Sequence, residues 1–218
     1  MPQTPTKYIP ALRFNLLTPL YDLTMRLGMR ESTFKRRLVE QACIKDGHRV
    51  LDLGCGTGTL TILIKRAHPE AEVIGLDGDP EILEIASAKI KVTGLDIALD
   101  EGMAFELTYP DNYFDRVFSS LVFHHLTRED KIRTFTEIFR VLKPGGELHA
   151  ADIGKPQNVF MSLISLIFRR LEEASDNIKG LLPGMFRDAG LDQVEETARY
   201  MTIIGTLTLF RARKPPEQ

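Results

Sequence analysis

Cysteine is scarce in this chain: Cys43 and Cys55 are the only two in 218 residues. Two thiols make neither a disulfide framework nor a paired zinc spacing, so a reducing compartment is the default and no metal site is expected. An excess of one charge is also missing. Twenty-eight Lys and Arg against 30 Asp and Glu leave a formal net charge of -2, with no global basic field to attract nucleic acid. Long hydrophobic runs are absent as well. The most apolar stretch, residues 159–168, is interrupted by Ser162 and Ser165 and falls well short of the ~20 residues a bilayer span requires. Residues 1–7 lack the apolar core of a signal peptide. The chain has no internal repeat and no low-complexity linker. These absences predict a cytoplasmic protein of one domain. What remains, 43% hydrophobic and 27% charged, is the composition of an ordinary globular domain with a substantial core.

Periodicity and punctuation then lay out the elements. Helices are expected over 12–27, with Pro19 bending the first, and over 31–42. Strands over 48–53, 73–77, 97–100, 114–119 and 147–152 alternate with helices over 57–67, 79–92 and 127–142. Asp79-Pro80 reads as an N-cap followed by proline at the first helical position, and Thr127 with Asp130 has capping-box spacing. Strand–helix alternation of this length demands right-handed crossovers and a parallel sheet covered on both faces. The last third predicts an apolar helix over 157–174, a second over 178–189, and strands over 194–197 and 201–212 that pair antiparallel. Gly205 falls inside the last of these.

The most informative run is Val50-Leu51-Asp52-Leu53-Gly54-Cys55-Gly56-Thr57-Gly58. It reads as a strand ending in an acid, a glycine-rich turn, and a helix. Three glycines at alternate positions let backbone approach a nucleotide-type ligand. The acid selects among ligands. A carboxylate two residues before the first glycine repels a pyrophosphate, whereas S-adenosylmethionine has no phosphate and carries a cationic ammonium and a cationic sulfonium. Cys55 has no activating base nearby and reads as a small turn residue. Asp77 closes the second strand 23 residues after Gly54, where an acid accepts hydrogen bonds from ribose hydroxyls; Gly78 follows it.

In these residues the chain resembles the class I S-adenosylmethionine-dependent methyltransferases. Residues 50–58 look like their first motif and Val73-Ile-Gly-Leu-Asp77 like the ribose-binding one. Asp111-Asn-Tyr-Phe-Asp115 through Ser119 and Ser120 resembles the strand-four motif, and Arg140-Val-Leu-Lys-Pro-Gly-Gly146 the turn before strand five. The resemblance implies a Rossmann-like α/β fold: a seven-stranded, mostly parallel sheet with an antiparallel last strand and helices on both faces. It divides the domain into an N-terminal helical cap (1–45), a cofactor-binding half (46–152) and a substrate-side half (153–218). A closer similarity is to the ubiquinone/menaquinone-biosynthesis C-methyltransferase group, through Tyr21-Asp22, Gly28 and the basic stretch after it, and through the run from Gly205 to Lys214. That group folds its tyrosine segment over the cofactor, which makes Tyr21 a candidate lid residue; packing against its own helix explains it equally well.

Three departures separate this chain from the quinone enzymes. Gly102-Met103-Ala104 stands where the group has Gly-Asp-Ala for adenine, and Met103 offers no strong acceptor to the adenine amino group. Either recognition there is looser, with Met103 packing on the ring and the Ala104 N–H donating to it, or Asp100 or Glu101 substitutes. Phe123-His124-His125-Leu126 replaces an arginine-containing segment, and the stretch after Asp152 is short. Adjacent histidines on a loop point apart, so at most one of His124 and His125 faces the site, as general base or as a backbone-bonded structural group. Asp152 is expected to face the acceptor. The apolar helix over 157–174 lines a substrate pocket, touches a membrane surface peripherally, or packs in the core or a dimer.

The sequence therefore predicts methyl transfer from S-adenosylmethionine, leaving S-adenosylhomocysteine, to a small, apolar or lipid-like acceptor, without a membrane span or nucleic-acid partner. The chain is expected to be a monomer or homodimer. The alternative is a protein that binds the cofactor without methyl transfer, in a regulatory or cyclase-like role.

Overall fold

A computed structural model describes residues 31–162, 173–203 and 205–217. Within them the elements run α1 (Glu31–Gln41), β1 (Arg49–Leu53), α2 (Thr59–Ala67), β2 (Glu72–Asp77), α3 (Pro80–Thr93), β3 (Ala98–Glu101) and β4 (Phe114–Ser120). A 3-10 turn (Phe123–His125) then leads to α4 (Arg128–Val141), β5 (Leu142–Ile153), α5 (Ser175–Ile178), α6 (Leu182–Asp188), β6 (Asp192–Thr202) and β7 (Gly205–Arg213). All seven strands form one sheet in the order β3-β2-β1-β4-β5-β7-β6. Strands β1 to β5 pair in parallel, and β7 runs antiparallel to both β5 and β6.

Side chains alternate across each strand, so the sheet buries two cores. Val50, Phe118, Ala151, Leu207 and Leu209 meet α1 and α2 through Phe34, Leu38, Leu60 and Ile64. Leu51, Leu53 and Val117 turn to the opposite face and meet Phe135 and Ile138 of α4 and Phe186 of α6. Each such side chain contributes about 1.5–3 kcal/mol when fully buried. Caps end the helices where the sequence marks them. Asp79 accepts from the Glu81 and Ile82 N–H groups at the start of α3, Gly94 closes it at φ 68°, and Thr127 accepts from the Asp130 N–H to open α4.

Several boundaries move. Helix α2 starts at Thr59 rather than 57, because Gly56 (φ 53°) and Gly58 (φ 72°) hold the backbone outside helical space. Leu142 already pairs with Phe114, and the chain bulges through residues 143–146 before Glu147 pairs with Arg116. The helix expected over 178–189 begins only at Leu182, after a turn at Gly180 (φ 73°), and a separate short helix, Ser175–Ile178, precedes it. Met201 and Thr202 belong to β6, not to the last strand: pairing with β7 extends to Thr202 opposite Gly205, which opens β7 instead of lying inside it. The first expected helix, with Tyr21, and residues 163–172 of the apolar helix lie outside the described residues. Among the described residues no helix is long and apolar enough to cross a membrane.

Candidate functional site

A cavity of about 330 Å³ opens over the carboxyl ends of β1 to β4, where the strand order reverses between β1 and β4. Crevices at that position of an open α/β sheet are where ligands bind.

The glycine turn forms one wall. The Gly54 and Cys55 N–H groups donate to the Leu76 carbonyl at 2.7 and 2.9 Å, drawing the turn toward β2. A Cβ on Gly54, whose φ is 69°, would lie 2.3 Å from Val122 Cγ2, so the loop after β4 closes directly on this glycine. Gly54 and Gly56 line the cavity, and Gly58 caps α2 behind it. Thr57 also stands back from the cavity, its carbonyl and hydroxyl held by Lys89 Nζ at 3.0 and 3.1 Å. Cys55 turns inward against Gly75; burial, then the nearby Asp52 and Asp77, push its thiol far up and keep it neutral.

Asp77 lines the cavity beside this turn. The Gly56 N–H donates to Oδ2 at 2.8 Å and the Asp79 N–H to Oδ1 at 3.1 Å, fixing the carboxylate while each oxygen keeps a second lone pair. Burial raises its pKa, against the pull of those N–H groups. Asp52 is different. It is 1% exposed, does not line the cavity, and accepts a 2.6 Å bond from the Thr61 hydroxyl of α2. Strand alternation explains this: a side chain one residue along from Leu51 and Leu53 points to the α1/α2 face. Burial pushes its pKa up to about 6, with Lys35 of α1 opposing and Asp77 adding to the rise.

Gly78, Gly102, Met103 and Ala104 form the β3 side of the cavity, joined by Phe105 and Ile82. The Met103 thioether covers Gly78, lying 2.9 Å from where a Cβ would stand. Neither acid expected to substitute for Met103 lines the cavity, and Asp100 accepts a 2.7 Å bond from the Tyr109 hydroxyl instead.

At the end of β4, Ser119 is buried, and its neighbour Ser120 lines the cavity in its place. Of the two histidines, His125 faces the cavity and His124 does not. The His125 ring stands exposed at the rim; loss of water on its wall side, then His124 at 4.0 Å between ring centroids, lowers its pKa. His124 Nδ1 meets Asp152 Oδ1 at 2.8 Å. Asp152 is fully buried and also accepts from the Phe123 and Ile153 N–H groups and from Asn177 Nδ2, at 2.7, 2.7 and 3.0 Å. Burial works to raise this carboxyl, but His124 and the N–H groups overcome it and hold the pKa below the ordinary value. Asp152 was expected to face the acceptor; it fastens the 3-10 turn and α5 to the end of β5 and does not line this cavity.

The remaining wall came unannounced: Leu121, Val122, Leu126, Thr127, Asp130 and Glu173. Thr127 and Asp130 were visible as a capping box, and a helix starting just beyond a strand's carboxyl end presents its first turn to the crevice. Glu173 is pinned through its carbonyl by the fully buried Lys131 at 2.7 Å. Among the described residues no cluster of His, Cys, Asp and Glu is placed to hold a metal ion.

The profile of a family described as "Methyltransferase domain" matches residues 50–146. A demethylmenaquinone methyltransferase of Thermus thermophilus is 33% identical over 175 residues, covering 79% of this chain and 78% of its own. Among solved structures, the YcgJ protein of Bacillus subtilis superposes with a TM-score of 0.69 at 19% identity, over 84% of this chain and 98% of that one. The [4+2]-cyclase SpnF superposes with a TM-score of 0.70 at 19% identity, over 85% and 82%.

Proposed function

The chain belongs to the class I S-adenosylmethionine-dependent methyltransferases, and from that premise we propose that it methylates a small, apolar, lipid-like molecule. The cavity wall suits the family's cofactor: Gly56 lines it with open space where a Cβ would stand, and Asp77 presents a fixed carboxylate with spare lone pairs. In this reading the Gly54–Gly58 turn cradles the methionyl end, Asp77 holds the ribose hydroxyls, and Met103 with Ala104 packs against the base. Asp52 acts from beneath, as a buried negative charge behind the turn. S-adenosylmethionine supplies an electrophilic methyl group on a sulfonium, which the acceptor takes by in-line displacement, leaving S-adenosylhomocysteine.

The residues of this chain contribute alignment above all, since positioning accounts for ~7–11 kcal/mol of barrier in well-oriented reactions. Leu121, Val122 and Leu126 exclude water from the acceptor's approach. His125 faces the cavity, where it can take the acceptor's proton; its pKa, lowered to about 4, keeps the imidazole neutral but makes it a weak base, so alignment carries most of the rate. The observation that carries the reading is the pinned Asp77 carboxylate beside the glycine turn, at the mouth of an otherwise largely apolar cavity. The Thermus thermophilus relative, named for demethylmenaquinone, supports an acceptor of this chemical class.

The test is incubation with methyl-labelled S-adenosylmethionine and a cell extract, followed by solvent partition. Label is expected in the organic phase together with S-adenosylhomocysteine. Label confined to water-soluble products or to macromolecules overturns the acceptor class.

A further inference from the structure

We infer that Asp130, in the first turn of α4, reads the exocyclic amino group of the cofactor's adenine. The inference rests on the cofactor reading above. With the methionyl end on the Gly54–Gly58 turn over β1 and the ribose on Asp77 at the end of β2, the base continues in the same direction, toward β3. There it meets Leu76, Ile82, Met103 and Phe105, which offer an aromatic ring surfaces to lie against. None of these four side chains offers a strong hydrogen-bond acceptor. Of the two acids just before the 102–104 segment, Asp100 is turned away to the Tyr109 hydroxyl and Glu101 does not line the cavity.

Among the described residues three carboxylates line the cavity: Asp77, Asp130 and Glu173. Asp77 is committed to the ribose. Glu173 leads into α5, which packs on the 3-10 turn and β5, across the cavity from β3. Asp130 is on the base side. Arg133, one helical turn on, spans the two positions: its guanidinium lies over the Phe105 ring at 4.6 Å and 3.5 Å from Asp130 Oδ1. Asp130 Oδ2 accepts from the Thr127 hydroxyl at 2.8 Å, which fixes the carboxylate's rotamer. Each oxygen retains a lone pair, and the side chain keeps 20% of its exposure. A carboxylate in this position accepts from an amino group and repels a carbonyl oxygen, so it distinguishes adenine from hypoxanthine. The chain thus reads its base from α4, not from the loop after β3.

The test is calorimetric titration of the full chain with S-adenosylhomocysteine, S-inosylhomocysteine and N6,N6-dimethyl-S-adenosylhomocysteine. Wild type is expected to bind the adenosyl compound at least about tenfold more tightly than either analogue, the value of one hydrogen bond to a charged acceptor. Asp130→Asn, which still accepts from Thr127, is expected to bring the inosyl compound within about threefold of the adenosyl one, as Asn can turn its amide toward the carbonyl. Asp100→Asn is expected to leave the preference intact. A wild type that binds all three within threefold overturns the assignment, and so does an Asp130→Asn variant with undiminished preference. If S-adenosylhomocysteine itself does not bind, the cofactor reading fails first, and this assignment with it.

Discussion

The two carboxylates expected at the glycine turn sit at different depths. Asp77 touches the cavity, whereas Asp52 lies beneath it, bonded to Thr61. The consequence is a conflict between stability and binding at Asp52. Its pKa rises in the fold from an ordinary 3.8 to about 6, so the fold favours the protonated form. That stability is fully present below the ordinary value and is lost as pH rises through about 6. At pH 8 the ionised carboxylate costs the ligand-free protein on the order of 3 kcal/mol. Asp52→Asn keeps an acceptor for Thr61 and removes the charge. The variant is expected to melt several degrees higher than wild type at pH 8, with the gain vanishing near pH 4. Its affinity for S-adenosylmethionine is expected to fall about tenfold, roughly 1.4 kcal/mol, as a positively charged ligand loses a buried counter-charge. Calorimetry and thermal melts of the same sample check both halves, and an unchanged affinity would sink the electrostatic role.

At the scale of elements, the site depends on how closely the turn after β1 meets the loop after β4. Gly54→Ala places a methyl group 2.3 Å from Val122 Cγ2 and forces alanine to φ 69°. The expected result is a loss of at least about 2 kcal/mol in stability and of measurable cofactor binding. Adding Val122→Ala removes the collision but not the backbone strain, so the double variant is expected to recover part of the melting temperature and never all of it. Full recovery would mean that the dihedral carries no cost, and no recovery that Val122 is not the obstacle. The same scale shows what the sequence could reveal. The turn after β1, the caps of α3 and α4, and the strands around them are written in short local signals: Gly54 to Gly58, Asp79-Pro80, Thr127 with Asp130. The β6–β7 pair is legible as two consecutive antiparallel strands, but the reach of β6 is not. Its edge strand carries Glu195, Glu196, Thr197 and Arg199 through the middle, which hides the extended pattern, and pairing with β7, not local chemistry, extends it to Thr202. The cavity divides the same way. Gly54, Gly56, Asp77 and the 102–104 segment lie at or just past strand ends and are legible; Glu173 lines it beside a contact no local signal announces, Lys131, 42 residues earlier, which holds its carbonyl.

For the molecule as a whole, a ligand that binds only the folded state stabilises it by mass action. At 100 times its dissociation constant the gain is about 2.7 kcal/mol, which for a chain of this length raises the melting temperature by roughly 5–10 °C. S-adenosylmethionine and S-adenosylhomocysteine are both expected to produce such a shift, and NAD to produce none, because its pyrophosphate would lie on a turn backed by the buried Asp52 charge. The two sulfur ligands differ by one positive charge, so their pH dependence isolates the field at the turn. In the proposed pose Asp77 meets the ribose of either ligand and affects both alike. Asp52, ionised above about 6, rewards only the sulfonium. The excess shift of S-adenosylmethionine over S-adenosylhomocysteine is therefore expected to be full at pH 8 and to shrink as pH falls through 6. Global acid unfolding belongs to a lower window. Burial works to raise the Glu147 carboxyl, but hydrogen bonds from His149 and Arg211 hold it down at about 2. The stability it contributes is present above its ordinary 4.5 and is lost only as pH falls toward 2. A loss of ligand discrimination between pH 7 and 5, with the ligand-free melt still cooperative, thus reports the turn and not the scaffold. An excess shift that stays constant from pH 8 to 5 would show that the buried carboxylate does not sense the sulfonium.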